Sequence, residues 1–298
     1  VDRNRLIRDI TPTSAQPSAP TGARLTASVV AGELTRLTPR DRHLLDLLDQ
    51  HKTLTTDQLV DLAFGSLGRA RNRLNTLLSR DILDRFRHYH RPGSQSWRWT
   101  LGPVGAAILA AGRGDTLPRP GAVRDATARL AMSPTLPHLL ATNGFFVALI
   151  GHARTHGGRL TRWYNETQSR AAAGNLVRPD GHGVWATGGR AVPFWLEVDL
   201  GTETLSRVVG KLPGYAALPP PRAYPVLFWL PTTAREANLH THLTRTGIPD
   251  GVTVATAAVN HAPDAGGPAG AVWRVAGQPG RVSLADLAPT GDGAPCDG

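Results

Sequence analysis

The sequence predicts an α/β (α+β) chain in two folded parts: a helical part that ends in a β-hairpin, and a mixed sheet flanked by helices. Three observations predict it. At 298 residues the chain is about twice the size of a typical domain. Hydrophobic residues at 41% against 19% charged supply a real core. The apolar pattern also changes along the chain, from helical spacing before residue 82 to short strands after residue 158.

In order, residues 1–37 read as a flexible leader, since 11–27 are rich in Pro, Ser, Thr and Ala with no period. Thr38-Pro39 is a helix start, Thr as N-cap and Pro at the first helical position, and the helix carries Leu44, Leu45, Leu47 and Leu48 to about Gln50. Thr55 and Thr56 cap a second helix that ends at Gly65, and Ser66 opens a third. Residues 82–91 alternate as a strand, Pro92-Gly93-Ser94 turns, and Ser96–Leu101 returns. A helix from Pro103 to Ala111 closes this part. Three helices followed by a hairpin is the order of a winged helix-turn-helix, assigned to 38–114 as a DNA-binding domain. Residues 115–135 read as a linker with a short helix. The second domain, 136–286, starts with an apolar helix over 136–154. Strands follow over 159–166, 176–185, 192–200, 223–231 and 252–259, with helices over 203–217 and 232–246. Residues 287–298 read as a disordered tail.

Charge points to a polyanionic partner: 33 basic residues against 23 acidic give a net +10. All but Lys52 and Lys211 of the basic residues are arginine. On the third helix Leu67, Ala70, Leu74, Leu77 and Leu78 share one face, and Arg69, Asn72, Arg73, Thr76 and Arg80 the other. Guanidinium pairs bidentately with guanine and carboxamide with adenine, so this is the candidate recognition helix. Arg85, Arg87, Tyr89 and Arg91 share a face of the hairpin suited to phosphate. Between 66 and 98, eight arginines face only Asp81 and Asp84. The expected partner is double-stranded DNA. The bland alternative is a solvated arginine face with Tyr89, Trp97 and Trp99 packing the hairpin. His88 and His90 share a face, but the single cysteine, Cys296, supplies no zinc cluster. No apolar run suggests a membrane span and no apolar signal core precedes the first helix, so no membrane partner and a cytoplasmic location are expected.

The second domain carries the chemistry. Asp180 lies in Arg178-Pro179-Asp180-Gly181, and Glu197 and Asp199 point the same way along the strand Phe194–Leu200. If Asp180 lies on the neighbouring strand, three carboxylates converge, an arrangement suited to Mg²⁺ or Mn²⁺ and to activating water against a phosphodiester. Lys211 sits on the following helix, on an edge with Glu203 and Arg207. It is a catalytic candidate or one rung of a solvated charge ladder. Glu166 is either a further acidic ligand or a surface residue at a strand end. His240 and His242 are two apart on a helix and cannot share a metal.

Pro-Asp followed by an apolar strand ending in Glu-x-Asp resembles the PD-(D/E)xK nuclease family, whose fold is a mixed sheet flanked by helices. The resemblance implies that Asp180 and Glu197 bind metal, places Asp199 where that family has its lysine, and allows Lys211 to supply the lysine from the next helix. More narrowly, a winged helix followed by Arg178–Asp180, Leu196–Thr204 and Lys211-Leu212-Pro213-Gly214-Tyr215 resembles the replication-relaxation family of actinobacterial plasmids and integrated elements, over residues 38–230. That resemblance implies DNA replication and relaxation. Two functions stay open: a Mg²⁺- or Mn²⁺-dependent DNA endonuclease using Asp180, Glu197, Asp199 and Lys211, and a non-catalytic DNA-binding regulator or replication accessory factor with a degenerate nuclease fold. A homodimer is one option for its assembly.

Overall fold

The structure, a computed structural model, describes residues 25–87, 95–262 and 266–287. The chain divides into two compact units, 1–140 and 141–298.

The first unit opens with α1 (Ala27–Leu34), capped by Thr26, within the stretch expected as leader. Val30 buries one side of it. In α2 (Pro39–His51), Thr38 and Asp41 form a reciprocal capping box with Pro39 at the first position. Two of the three orphan amides at that terminus are thereby satisfied, since Pro39 has none. After β1 (Leu54–Thr55), a second capping box, Thr55 with Gln58, starts α3 (Thr56–Leu59). This helix widens into a π turn over Val60–Phe64 and stops at Gly65, where a left-handed φ of 65° favours glycine. Ser66 caps α4 (Leu67–Ser79). Strands β2 (Leu83–Phe86) and β3 (Arg98–Leu101) pair antiparallel, with β1 on the other side of β3. Helices α5 (Pro103–Arg113) and α6 (Pro120–Ala131) follow. Although α6 lies in the stretch read as linker, it packs on α5 and β2. Leu44, Leu45, Leu48, Leu54, Leu74, Leu77 and Trp99 form the interior, while Leu67, expected among them, is exposed because it stands in the first turn of α4.

The second unit is a mixed sheet of six strands between helices. The strands are β4 (Arg159–Tyr164), β5 (Gly181–Thr187), β6 (Arg190–Val198), β7 (Val226–Leu230), β8 (Val254–Ala258) and β9 (Arg274–Val275), in that spatial order. β4, β5 and β6 run antiparallel, β6, β7 and β8 parallel, and β9 returns antiparallel. Both faces are covered. Phe145, Phe146 and Leu149 of α7 (Leu136–His156) pack with Phe194, Leu196, Trp229 and Trp273 on one face. On the other, Trp195 and Phe228 meet Val208 of α9 (Leu205–Val209), Leu212 and Tyr215 of α10 (Leu212–Ala216), and Leu239 and Leu243 of α11 (Thr233–Thr246). The single helix expected over 203–217 is broken at Gly210-Lys211, where Pro213 enters the first turn of α10 with no amide hydrogen to continue α9. A further short helix, α8 (Glu166–Ala172), is capped by Asn165 and Gln168, so Glu166 opens a helix instead of ending a strand. Contrary to the hydropathy expectation, α7 is long and apolar enough by length and composition to cross a membrane. Its Phe145, Phe146 and Leu149 are nonetheless buried on the sheet.

Candidate functional site

The β5–β6 register pairs Gly181 with Leu196, and continuing it by one residue sets Asp180 opposite Glu197. Asp180 is anchored to β6 through its backbone, whose N–H donates to the Leu196 carbonyl at 3.0 Å. Its side chain is anchored too: the Val198 amide donates to Asp180 Oδ2 at 2.8 Å. Alternation turns Glu197 toward the helices α9 and α10, where it is 1% exposed. Lys211 Nζ donates to Glu197 Oε2 at 2.5 Å and Tyr215 Oη donates to Oε1 at 2.5 Å.

The helix break creates this arrangement. Lys211 is the residue preceding α10, and Tyr215 lies one turn later on the same side. Burial, reinforced by Asp180, pushes the Glu197 carboxyl up to about 7 against the opposing pull of Lys211 and Tyr215. At Lys211, burial works against the charge, but Glu197 and Asp180 outweigh it and hold the ammonium above its ordinary value. Burial and then Glu197 push the Tyr215 hydroxyl well above the usual phenol range. Lys211 is therefore an ion-pair partner within the unit and not a rung of a solvated ladder.

Asp199 takes another path. Beyond the end of β6 its Oδ1 accepts from the Gly201 amide at 2.7 Å, and its Oδ2 accepts from Arg235 Nε at 2.7 Å. Arg235 also donates to the Glu203 carbonyl at 2.6 Å. The three-carboxylate cluster is thus reduced to a pair, because a guanidinium from the first turn of α11 neutralises the third acid. Among the described residues, no three His, Cys, Asp or Glu side chains form a metal-holding group. Glu166 pairs with Arg178. His240 Nε2 lies 2.7 Å from Thr256 Oγ1, whereas His242 Nδ1 is 2.9 Å from Arg245. Sequence reasoning missed Tyr215 and Arg235. The first stands four residues after Lys211, a spacing that shares a helix face; the second has no local signal.

In the first unit, Arg69 and Asn72 are exposed on α4, together with Arg71. Arg73 and Arg80, expected beside them, are held internally: Arg73 by both oxygens of Asp41 and Arg80 by Glu33. The Thr76 hydroxyl is exposed but donates to the Asn72 carbonyl at 2.9 Å. The guanidinium carbons of Arg85 and Arg87 lie 4.0 Å and 4.2 Å from the Trp97 ring centre. Arg85 also donates to Asn75 of α4 at 3.0 Å, tying hairpin to helix. Burial and then Arg87 hold the Arg85 guanidinium below its usual value. Arg91, Tyr89, His88 and His90 lie outside the described residues.

A family model described as replication-relaxation matches residues 45–222, more than half of the chain. The chain belongs to the replication-relaxation family. No curated protein and no solved structure matches it. The replication-relaxation match contains α4, Asp180, Glu197, Asp199, Lys211 and Tyr215, and it ends before Arg235. The family links the chain to replication and relaxation.

Proposed function

We propose that this replication-relaxation protein binds double-stranded DNA through a winged helix in its first unit and carries a nuclease-like phosphodiester site in its second. The order α2, β1, α3, α4, β2, β3 supports the winged-helix reading, with α4 presenting Arg69, Arg71 and Asn72. The order α7, β4, α8, β5, β6, α9, α10, β7, with Asp180 before the second strand and Glu197 near the end of the third, supports the PD-(D/E)xK resemblance, with α8 as an addition between the first two strands. The observation that carries the catalytic reading is Lys211. It comes from the segment after β6 and reaches Glu197, which offsets the Asp at the family's usual lysine position.

The donor set suits a hard divalent cation at Asp180 and Glu197, because two opposed carboxylates repel one another and Asp180 helps push the Glu197 carboxyl upward. Asp199 is instead paired with Arg235, so this reading uses the other two carboxylates. Bound there, Mg²⁺ or Mn²⁺ would polarise a phosphoryl oxygen and acidify water. Lys211 would orient Glu197 and stabilise charge developing on the phosphate, and Tyr215 would hold the second Glu197 oxygen in place. Supercoiled plasmid incubated with Mg²⁺ or Mn²⁺ tests the reading. Nicking by wild type that is lost in Asp180→Ala and Glu197→Ala is expected; no nicking, or equal nicking by the variants, removes the catalytic claim.

One observation favours the second reading, a non-catalytic DNA-binding accessory factor. Both Glu197 oxygens already accept hydrogen bonds at an almost fully buried position. Calorimetry showing no Mn²⁺ uptake beside intact, salt-sensitive DNA binding would select that reading.

A further inference from the structure

A row of rings lies on the sheet face that carries Asp180 and Glu197. Tyr164 on β4 pairs with His182 on β5, which pairs with Trp195 on β6. His182 and Trp195 stand two residues from Asp180 and Glu197, about 7 Å along the strands. Ring centres are 5.6 Å apart for Tyr164 and His182, and 4.5 Å for His182 and Trp195. Tyr224, from the loop before β7, stacks on His182 at 5.4 Å with planes 12° apart. Hydrogen bonds fix the row: His182 Nδ1 lies 2.8 Å from the Phe194 carbonyl, and Trp195 Nε1 donates to the Arg222 carbonyl at 3.0 Å. His182 and Trp195 are buried, while Tyr164 and Tyr224 are half-buried and keep part of their surface at solvent. Arg162, exposed, places its guanidinium 5.3 Å from the Tyr164 ring centre, and Arg222, two residues before Tyr224 in the chain, is exposed.

We infer that Tyr164 and Tyr224, with the Arg162 guanidinium against the Tyr164 ring, form a stacking platform for an unpaired nucleotide of a DNA strand. Rigid π surfaces beside cations select a ligand that is flat and aromatic and also anionic. A base inside a duplex hides its faces in the stack, so the platform takes single-stranded or locally opened DNA. The inference rests on the DNA-acting reading of the neighbouring acids and narrows its substrate to a strand with at least one base out of the helix.

The test uses the full chain, with Arg69→Ala and Asn72→Ala to mute the first unit, in EDTA. A thymidine oligonucleotide is compared with an abasic strand of equal length by fluorescence anisotropy. The base-bearing strand should bind about fivefold more tightly, the low end of what one stacked base contributes. Tyr164→Leu should erase the preference, Tyr164→Phe should retain it, and Arg162→Ala should weaken both strands together. Equal affinity for the two strands, or a preference that survives both Tyr164→Leu and Tyr224→Leu, overturns the inference. No cation is present, so the outcome is independent of cleavage. Strand preference without nicking leaves the platform and removes the chemistry; nicking without preference does the reverse.

Discussion

Arg73→Met separates a structural arginine from a DNA-reading one. The Asp41 carboxylate is 0% exposed and has donors on two sides, the amide and hydroxyl of Thr38, each at 2.7 Å, and the Arg73 guanidinium. Burial acts against its charge, but the donors from Arg73 and Thr38 outweigh it and hold its pKa below the usual carboxylate value. Removing Arg73 leaves a buried carboxylate with the two Thr38 donors alone. Breaking a buried pair costs about 3–5 kcal/mol, and because the Arg73 side chain is 28% exposed, the lower end, about 3 kcal/mol, applies. For a unit of this size that corresponds to a melting temperature lower by about 12 °C. Thermal and urea denaturation measure the loss. The double variant Asp41→Asn, Arg73→Met should recover at least half of it, since no charge is then left buried. Arg69→Ala, on the exposed face, should change stability by less than about 0.5 kcal/mol while weakening DNA binding. The reasoning fails if Arg73→Met melts within about 2 °C of wild type.

Other consequences can be measured in the same way. Burial pushes His51 down to about 3. Between its unfolded value near 6.5 and that folded value the unfolded chain holds more protons, so stability should fall with pH by about 1.4 kcal/mol per unit and be unaffected by this group above pH ~6.5. Denaturation curves for His51→Gln should lose that slope; an unchanged slope would assign the acid sensitivity elsewhere. Trp97→Ala should weaken DNA affinity about fivefold through loss of the stacked guanidiniums while leaving the salt dependence intact. Arg85→Ala should reduce the logarithmic salt slope by about 0.9, and the reverse pattern would contradict both assignments. At Gly183 an added Cβ would come within 2.3 Å of Phe194 and 2.9 Å of Phe146. Gly183→Ala should therefore destabilise the second unit by about 1–3 kcal/mol, and a wild-type urea midpoint would show that the rings yield.

The parts legible in the sequence are those governed by local chemistry. Thr38-Pro39 announces α2 because cap and proline act within one turn, and the Ser66 start and Gly65 stop follow from the same rules. Glu197 and Lys211 could be named because strand alternation and one of only two lysines drew attention to them. What escaped depends on distant chain segments. Asp199 shares the parity of Glu197, yet its partner, Arg235, is 36 residues away. Arg73 and Arg80 have the helical phase of groove-reading residues, but Asp41 and Glu33 occupy them from helices whose packing is not a local property. The break at Gly210-Lys211 follows from Pro213, but apolar spacing that continues on both sides reads as one helix.

The six-stranded sheet also limits its own growth. β8 is entirely buried, and the strand that closes it, β9, has two residues, with Arg274 exposed. Arg281, just beyond, is bound by both oxygens of Glu236 on α11, clasping this last segment to the layer beneath. A fragment cut where the family match stops would strip β6 of its parallel neighbour and leave an apolar strand as a ready template for intermolecular association. The residues after 222 thus act as a seal that keeps the site-bearing strands from recruiting other chains.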